Sequence, residues 1–514
     1  MYPGTHAATN PDKLAIVMAD TGETRSYAEL EQRSARLARF CHEAGLRRGD
    51  HIAFIAPNSP EVFEIYWAAL RSGLLVTGVN HHLSAEEAAY IVADCGARVL
   101  ITSAEFTEIA AYLTDSPSDV EVRLAVGGDL DGYQDYEAAL ASVSAQPLAV
   151  QPRGADMLYS SGTTGRPKGI KPALPDREVH EPGDPFATVF GGMYGFDADT
   201  VYYSPAPTYH AAPLRFGGIV HMFNGTVVMT RKFDAEGTLA AIEKYGVTHA
   251  QFVPTMFVRM LKLPESVRTG YRHETLSTVI HAAAPCPVEV KQQMMAWWGP
   301  VLHEYYSSTE ANGITLINPQ QWLEKPGSVG KAGLGVIRIC DEESGAEMPT
   351  GEVGTVYFER DIPPFEYHRA PEKSREARHP QHENWTTTGD LGYVDADGYL
   401  FLTDRKAFMI ISGGVNIYPR EVEDVLTLHP KVTDVAVIGI PDDEMGEQVK
   451  AVVQPAPGVV ADEALAAELI EFVRGRIARY KCPRSLDFVD ELPRTPTGKL
   501  LKRKVLETYL QPTS

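Results

Sequence analysis

Short apolar runs alternate with helical patterns through the first part of the chain. Strand-like runs at 50–56, 74–79 and 98–102 are separated by helical patterns at 60–72 and 86–94. Neighbouring parallel strands need a crossover connection of about a dozen residues, usually a helix, whereas antiparallel strands can be joined by a tight turn. The alternation therefore predicts an α/β fold with parallel-type sheets.

The same alternation returns between 226 and 281, and a different pattern follows it. A polar, proline-bearing stretch at 361–384 is predicted to be a long surface excursion. Beyond it, a strand at 432–439 and an amphipathic helix at 465–477 predict a smaller α+β domain. Because the 514 residues exceed what one hydrophobic core organises, at least two domains are expected.

The composition excludes several classes of protein. A net charge of −21 makes nucleic acid an unfavourable partner. The five cysteines are scattered without metal-ligand spacing, so reduced, buried thiols are expected. No secretory leader is evident, and no apolar run reaches the ~18 residues of a membrane span. We therefore expect a cytoplasmic protein with no membrane span, and its oligomeric state, a homodimer included, stays open.

The segment 158–169, Leu-Tyr-Ser-Ser-Gly-Thr-Thr-Gly-Arg-Pro-Lys-Gly, gathers small hydroxyl residues, glycines and one lysine. Glycines let backbone N–H groups converge on an anion, and the hydroxyls add further donors. Lys168 adds a positive charge, but it lies between Pro167 and Gly169, which is not the spacing of a nucleoside-triphosphatase phosphate loop. The segment predicts a polyphosphate-binding loop, with a flexible surface turn as the alternative.

Four further motifs follow in order. They are Tyr-Ser-Ser-Thr-Glu at 306–310, Trp-Thr-Thr-Thr-Gly-Asp at 385–390, Ser-Gly-Gly-Val-Asn-Ile-Tyr-Pro-Arg-Glu at 412–421 and Pro-Arg-Thr-Pro-Thr-Gly-Lys at 493–499. Together with 158–169, these motifs resemble those of the adenylate-forming superfamily of acyl-CoA synthetases, peptide-synthetase adenylation domains and luciferases. The resemblance extends over almost the whole chain.

The resemblance implies a large N-terminal domain at 1–404 that binds ATP and acid, and a small mobile C-terminal domain at 405–514. It implies an AMP-forming carboxylic acid–CoA ligase. ATP and a small carboxylic acid would give an acyl-adenylate and pyrophosphate, and CoA would then take the acyl group. Mg²⁺ would accompany ATP, because joining two anions needs concentrated positive charge. Aromatic, medium-chain and branched acids all stay open.

The resemblance also assigns residues to the nucleotide. Glu310 would bind Mg²⁺, and Thr309 would contact the α-phosphate. Tyr306 would stack on adenine, next to Ser307, which stands where the family often has glycine. The loop residues that would hold the β- and γ-phosphates are Ser160, Ser161, Gly162, Thr163, Thr164, Gly165 and Lys168.

Three residues nearer the C-terminus complete the implied adenylation site. Asp390 would accept both ribose hydroxyls, because one carboxylate can take two O–H donors, and Arg405 would support the ribose or the phosphates. Lys499 would reach the reacting carboxylate and the α-phosphate and stabilise the transition state electrostatically. With Thr163 and Glu310, it forms the expected catalytic set. Ala407 stands at the implied hinge, where the family usually has a charged residue.

The remaining assignments concern the two other substrates. Gly413 and Gly414 would line the tunnel for the pantetheine arm of CoA, with a simple tight turn as the alternative. His210 would lie at the mouth of the acyl pocket or serve as a core histidine. Further residues that would line the nucleotide or acyl pocket are Phe252, Thr255 and Ala283.

Two other functions are open to this sequence. An adenylate-forming ligase could pass the acyl group to an amine or to the thiol of a carrier protein instead of CoA. A nucleotide-binding sensor without catalysis would have to lack Lys499 or Glu310, and the chain retains both.

Overall fold

A computed structural model describes the chain except for residues 161–166, 342, 406–407, 443, 495–499 and 511–514 and the side chain of Arg405. The chain forms two compact units, each built from separate stretches of sequence. The first contains Met1–Phe252, Leu263–Ile280 and Phe365–Ser374, and the second contains Val253–Lys262, His281–Pro364 and Arg375–Ser514. The domain boundary after residue 404 stays a prediction.

The strands of the first unit form two mainly parallel sheets and a separate two-stranded antiparallel sheet. In chain order they are β1 Leu14–Met18, β2 Thr24–Ser26, β3 His51–Ile55, β4 Leu75–Gly78, β5 Ala97–Ser103, β6 Val122–Val126, β7 Gln134–Asp135, β8 Ala155–Asp156, β9 Leu158–Ser160, β10 Lys168–Ile170, β11 Val201–Ser204, β12 Thr226–Met229, β13 His249–Phe252 and β14 Thr278–His281. One sheet has, within this unit, the order β14-β13-β11-β12-β1-β2. The other has the order β7-β6-β5-β3-β4-β8 and is parallel throughout. The predicted parallel α/β architecture is confirmed.

The second unit is dominated by antiparallel strands. They are β15 Leu302–Ser307, β16 Ile314–Ile317, β17 Lys331–Leu334, β18 Val336–Cys340, β19 Gly354–Glu359, β20 Trp385–Thr386, β21 Asp390–Val394, β22 Leu400–Arg405, β23 Ile410–Ser412, β24 Val415–Ile417, β25 Val432–Asp442, β26 Gly446–Pro455 and β27 Ser485–Phe488. Strands β15, β16 and β17 pair in sequence, and β18-β19-β21-β22 form a sheet with β20 beside β19. The last sheet has the order β24-β23-β26-β25, with β27 parallel to β26.

Helices connect and cover these sheets. They are α1 Pro3–Ala7, α2 Tyr27–Glu43, α3 Pro60–Leu70, α4 Ala85–Cys95, α5 Thr107–Asp115, α6 Tyr136–Ala141, α7 Pro185–Tyr194, α8 Ala211–Met222, α9 Ala235–Tyr245, α10 Pro254–Leu261, α11 Glu265–Arg268, α12 Val288–Trp298, α13 Pro319–Glu324, α14 Pro371–Glu376, α15 Pro419–Thr427, α16 Glu463–Arg474 and α17 Lys502–Leu510. Helix α2 begins where a capping box predicts. The Ser26 hydroxyl accepts from the Glu29 N–H, and the Glu29 carboxylate accepts from the Ser26 N–H at 2.7 Å.

The prediction of a surface excursion at 361–384 is wrong in part. Within this stretch, Phe365 and Tyr367 are buried, and helix α14 follows them. The Tyr367 N–H donates to the Ser374 hydroxyl at 2.9 Å. Proline is favoured in the first turn of a helix, so Pro371, which indicates a loop in a polar context, here opens α14.

The composition predicts reduced, buried thiols, and this prediction is confirmed. All five cysteines are free and buried. No helix in the part of the chain that the structure describes combines the length and apolar character needed to cross a bilayer.

Candidate active site

The motif at 306–310 begins on strand β15 and turns into a tight loop. Strand β15 pairs antiparallel with β16, which places Tyr306 opposite Thr315 and Ser307 opposite Ile314. The Ser307 hydroxyl donates to the carbonyl of Gly313 at 2.8 Å. The serine that replaces the family's usual glycine is therefore satisfied by the backbone of its own loop.

Tyr306 and Asp390 meet, although 83 residues separate them in the sequence. The Tyr306 hydroxyl donates to Asp390 Oδ2 at 2.7 Å, and the Thr388 hydroxyl donates to the same oxygen at 2.9 Å. The Asp390 side chain is buried at the start of β21. The two residues that sequence reasoning assigns to adenine and ribose are thus in direct contact, and the carboxylate is held in one orientation by two hydroxyl donors.

Glu310 and Thr309 lie on the loop that follows Tyr306. Glu310 is buried and Thr309 is half-buried. Among the described residues, no group of three or more His, Cys, Asp or Glu is arranged to hold a metal ion. Mg²⁺ commonly takes one or two carboxylates and completes its shell with substrate phosphates and water. The role of Glu310 in binding Mg²⁺ stays a prediction.

Ala283, two residues after the end of strand β14, has an unusual backbone conformation. Its φ is +73°, whereas a residue with a Cβ pays about 1–2 kcal/mol to adopt the left-handed region. Ala283 is exposed, but Ala282 beside it is buried. Backbone strain of this kind clusters at ligand-binding positions. Thr255, half-buried on helix α10, belongs to the same unit.

Sequence reasoning missed a buried charge cluster in the same unit. The Lys291 ammonium donates to Glu304 Oε2 at 2.7 Å and lies 4.7 Å from the centre of the Trp322 ring. His281 Nε2 is 3.5 Å from the same carboxylate oxygen, and burial lowers the pKa of His281. Glu304 is two residues before Tyr306 on β15, so the cluster anchors the strand that carries the proposed adenine-stacking ring.

In the first unit, the two described flanks of the segment 158–169 pair with each other, and its role in binding phosphates stays a prediction. Strands β9 and β10 pair antiparallel, with Ser160 opposite Lys168. The Lys168 ammonium lies 4.6 Å from the centre of the Tyr367 ring. The predicted phosphate-binding residues Ser161, Gly162, Thr163, Thr164 and Gly165 lie outside the described residues. Ser160 and Lys168, the residues on either side of this stretch, therefore lie next to each other.

His210 lies among aromatic side chains at the start of helix α8. It is half-buried, and its ring centre is 4.6 Å from that of Tyr209. Tyr209 in turn meets the ring of His81 edge-on at 5.3 Å, and burial lowers the pKa of His81 to about 4. Phe252 is fully buried, with its ring centre 6.1 Å from that of Tyr203. The roles of His210 and Phe252 in an acyl pocket stay predictions.

Gly413 and Gly414 form a two-residue hairpin turn between strands β23 and β24. Their φ values are +58° and +77°, and Ser412 pairs with Val415 across the turn. A Cβ on Gly413 would lie 2.4 Å from Met445 Cε, whereas a Cβ on Gly414 would meet nothing within 4 Å. The two glycines therefore do form a tight turn. The role of this turn in binding CoA stays a prediction.

Three of the predicted functional positions near the C-terminus are described little or not at all. Arg405 ends strand β22, and its backbone pairs with that of Asp390 on β21. Ala407 and Lys499 lie outside the described residues.

Comparisons with known proteins cover nearly the whole chain. The sequence pattern described as AMP-binding enzyme matches residues 4–362, and that of the AMP-binding enzyme C-terminal domain matches residues 421–499. A feruloyl-CoA synthase of Amycolatopsis sp is 33% identical over 99% of this chain and 98% of its own length. The fatty acid–[acyl-carrier-protein] ligase ScoC of Streptomyces coeruleorubidus is 30% identical over 98% of this chain and 95% of its own.

Solved structures show the same fold. ATP-bound MatB from Rhodopseudomonas palustris superposes with a TM-score of 0.80 and 29% identity, covering 99% of both chains. The amide bond synthetase McbA from Marinactinospora thermotolerans superposes with a TM-score of 0.79 and 26% identity, covering 97% of both chains.

Proposed function

This chain belongs to the AMP-binding enzyme family and is an AMP-forming carboxylic acid–CoA ligase, and we propose that the Tyr306–Asp390 pair holds its nucleotide. The observation that carries this proposal is the 2.7 Å hydrogen bond between the two side chains. It fixes an acceptor for ribose hydroxyls beside an aromatic ring that can stack on a base. Thr388 donates a second hydrogen bond to the same carboxylate oxygen.

In the first half-reaction, a carboxylate oxygen of the acid attacks the α-phosphorus of ATP. The bond from that phosphorus to the bridging oxygen of pyrophosphate breaks, and an acyl-adenylate forms. Lys168 and the hydroxyls of Ser160, Ser161, Thr163 and Thr164 would hold the departing phosphates. Mg²⁺ bound at Glu310 would supply charge neutralisation when the nucleotide is present. Thr309 and Arg405 would bind the nucleotide from neighbouring positions.

Lys499 would stabilise the transition state of this half-reaction. Two anions must approach each other, and a positioned ammonium lowers the free energy of the arrangement in which negative charge is concentrated. In the second half-reaction, the CoA thiol loses its proton, its sulfur attacks the acyl carbon, and AMP leaves with the pair of electrons of the broken bond. Gly413 and Gly414 would let the pantetheine arm pass close to the backbone.

The surroundings of His210 favour an apolar acid, and an aryl acid in particular. The His81 ring meets the Tyr209 ring edge-on at 5.3 Å and stacks on the Phe106 ring at 4.7 Å. Burial keeps His81 neutral at physiological pH, because it lowers the pKa to about 4. We further propose a cytoplasmic enzyme, a compartment that suits five free, buried cysteines.

The test is pyrophosphate release over a panel of acids, followed by product analysis with CoA, with an amine, with a phosphopantetheinylated carrier protein and with no acceptor. We expect an aryl acid to exceed a dicarboxylic acid and CoA to give the thioester. An amide or a carrier-bound product in place of the CoA thioester would assign this chain the acceptor chemistry named for McbA or ScoC.

Lys499→Ala should slow acid-dependent pyrophosphate exchange by about 10²–10³-fold, the usual cost of losing one preorganised electrostatic donor. Lys504→Ala is the matched control, because Lys504 is an exposed lysine on the neighbouring helix α17. Exchange that is equally fast in both variants would exclude the proposed role of Lys499.

A further inference from the structure

We propose that Asn58 is a positioning residue for acid binding, acting through the segment 206–210 to fix the side of the acyl pocket that carries Tyr209 and His210. The inference rests on the proposed role of His210 at the acyl pocket and extends it to a residue with no proposed contact to the acid. It follows from the hydrogen bonds of one buried amide.

The Asn58 side chain uses its full hydrogen-bonding capacity. Its Nδ2 donates to the carbonyls of Ala206 and Thr230, each at 3.0 Å. Its Oδ1 accepts from the Thr208 N–H at 2.8 Å and from the Thr208 hydroxyl at 3.0 Å. An asparagine amide offers two donors and two acceptor positions, so all four are occupied. Because Asn58 is only 3% exposed, these partners hold the amide in a single orientation.

These hydrogen bonds join the carboxyl ends of two neighbouring strands. Ala206 comes two residues after β11, and Thr230 comes directly after β12. Strands β11 and β12 pair in parallel, so their carboxyl ends lie at the same edge of the sheet. Ligands of open α/β sheets bind outside the carboxyl ends of the strands. Asn58 therefore fixes the chain at an edge where a ligand is expected.

The segment 206–210 leads directly into helix α8. The His210 N–H donates to the carbonyl of Pro207 at 3.2 Å. A Cβ on Gly78, in strand β4, would lie 2.8 Å from the Cα of Tyr209, so the segment packs closely on that strand. Thr208, which the amide holds through two hydrogen bonds, immediately precedes Tyr209. A displacement of Thr208 would therefore displace Tyr209 and His210 as well.

The segment carries a buried polar group whose partner is not a described residue. Tyr209 is 5% exposed, and its hydroxyl has no hydrogen-bond partner in the part of the chain that the structure describes. The same holds for Nδ1 of His81, whose ring meets the Tyr209 ring edge-on at 5.3 Å. An unpaired buried polar atom costs free energy, so each one calls for an explanation. A polar substituent on the bound acid would satisfy the Tyr209 hydroxyl.

Replacing Asn58 by alanine removes all four hydrogen bonds. The segment 206–210 should then occupy several positions, of which one suits the acid. Such an equilibrium weakens apparent binding by the fraction of molecules in the competent position, and saturating acid restores that position. The base and ribose of ATP are assigned to Tyr306 and Asp390 in the other unit, so ATP binding should be unchanged.

The experiment measures acid-dependent pyrophosphate release by the full-length enzyme carrying Asn58→Ala, Thr208→Val or Thr208→Ser. The probe acid is whichever of benzoate, 4-hydroxycinnamate and octanoate the wild type activates fastest. We expect KM for the acid to rise about tenfold in Asn58→Ala and about threefold in Thr208→Val, with kcat and KM for ATP within about twofold of wild type. Thr208→Ser keeps the hydroxyl that bonds to Asn58 and should restore the wild-type KM.

Ser34→Ala is the matched control, because it removes a buried hydroxyl from helix α2 of the same unit. The Ser34 hydroxyl donates to the carbonyl of Glu31 at 3.2 Å and accepts from the Arg71 guanidinium at 3.0 Å. This variant should lower the melting temperature without changing KM for the acid. A rise in KM for the acid equal to that of Thr208→Val would show that general destabilisation is enough to weaken acid binding, and would overturn the inference.

An unchanged KM for the acid in Thr208→Val would also overturn it, and this variant decides the matter if Asn58→Ala does not fold. Equal rises in KM for acid and for ATP would count against it in the same way. His210→Ala, measured alongside, separates the two proposals. If His210→Ala raises KM for the acid while Thr208→Val and Asn58→Ala do not, only this inference fails, whereas an unchanged KM in His210→Ala removes the role on which it rests.

Discussion

The Lys291 ammonium lies 2.7 Å from Glu304 Oε2, and less than a tenth of either side chain is exposed. Removing one partner of a buried ion pair leaves an uncompensated charge, which typically costs about 3–5 kcal/mol. Lys291→Met should therefore lower the free energy of unfolding by about that amount in urea titrations. It should also weaken ATP binding, because Glu304 shares strand β15 with Tyr306.

The double variant Lys291→Met with Glu304→Gln should be more stable than Lys291→Met alone, because no charge is then left buried. Lys431→Met is the matched control: Lys431 pairs with Glu468 on the surface, where such pairs are worth about 0–1 kcal/mol. A double variant no more stable than Lys291→Met would contradict the view that the two residues act as a pair.

Tyr306→Phe and Asp390→Ala test two contributions to nucleotide binding: that of the Tyr306 hydroxyl and that of the Asp390 carboxylate. Tyr306→Phe keeps the aromatic face and loses one hydrogen bond to a charged group, worth about 1.5–3 kcal/mol, so ATP should bind about tenfold more weakly. Asp390→Ala also strands the ribose hydroxyls and should weaken binding further. Isothermal titration with ATP and with 2′,3′-dideoxy-ATP measures both effects.

The nucleotide without ribose hydroxyls provides the decisive comparison. Wild type should prefer ATP to 2′,3′-dideoxy-ATP, and Asp390→Ala should lose that preference. If the wild-type enzyme binds the two nucleotides equally well, Asp390 does not bind the ribose hydroxyls.

His221 makes the stability of the first unit depend on pH. Its Nδ1 accepts from the Trp67 indole at 3.2 Å and its Nε2 faces the Ala15 carbonyl at 3.1 Å, an arrangement that suits a neutral ring. Burial lowers the pKa of His221 from 6.5 to about 3. Between these values the unfolded chain binds the proton and the folded one does not, so stability falls as pH falls.

Between pH 6.5 and about pH 4, His221 alone should remove about 3 kcal/mol from the free energy of unfolding, at 1.36 kcal/mol per pKa unit. His221→Gln should be less stable at pH 7.5, because it loses buried hydrogen bonds, but should show a shallower decline in acid. Urea titrations across this pH range measure the two slopes. His180→Gln, at an exposed histidine, should follow wild type, and a His221→Gln slope as steep as that of wild type would contradict the assignment.

Much of the first unit could be predicted from local pattern. The alternation predicted from residue 226 onward is present as a strand at Thr226–Met229 and a helix at Ala235–Tyr245, because an apolar β-branched run and an amphipathic repeat are each followed by a clear break. The capping box at Ser26 fixes the start of α2 for a similarly local reason. The motifs identified Tyr306 and Asp390 individually, but their hydrogen bond depends on pairing between distant strands.

The Lys291–Glu304–His281 cluster could not be predicted in the same way. A lysine in an amphipathic helix and a glutamate in a short strand are both typical of solvent-facing positions. Their burial follows from the packing of α12 against β15, which no local pattern encodes. The only signal was that Lys291 shares its helix with Met294, Met295 and Trp298, all of which are buried.

The five cysteines should be almost inert toward thiol reagents in the folded enzyme. Burial raises the pKa of Cys41 and of Cys95 to about 12 and that of Cys340 to about 11, so at pH 8 only a very small fraction is thiolate, the reactive form. An Ellman titration of native protein should therefore give far less than one equivalent in the first minutes, and about five after denaturation. Ala149→Cys, at an exposed position, is the positive control and should add one fast equivalent. Rapid labelling of a cysteine in the native protein would mean that the chain around that cysteine opens readily. In that case, increasing urea concentrations should raise the labelling rate of that thiol well before global unfolding.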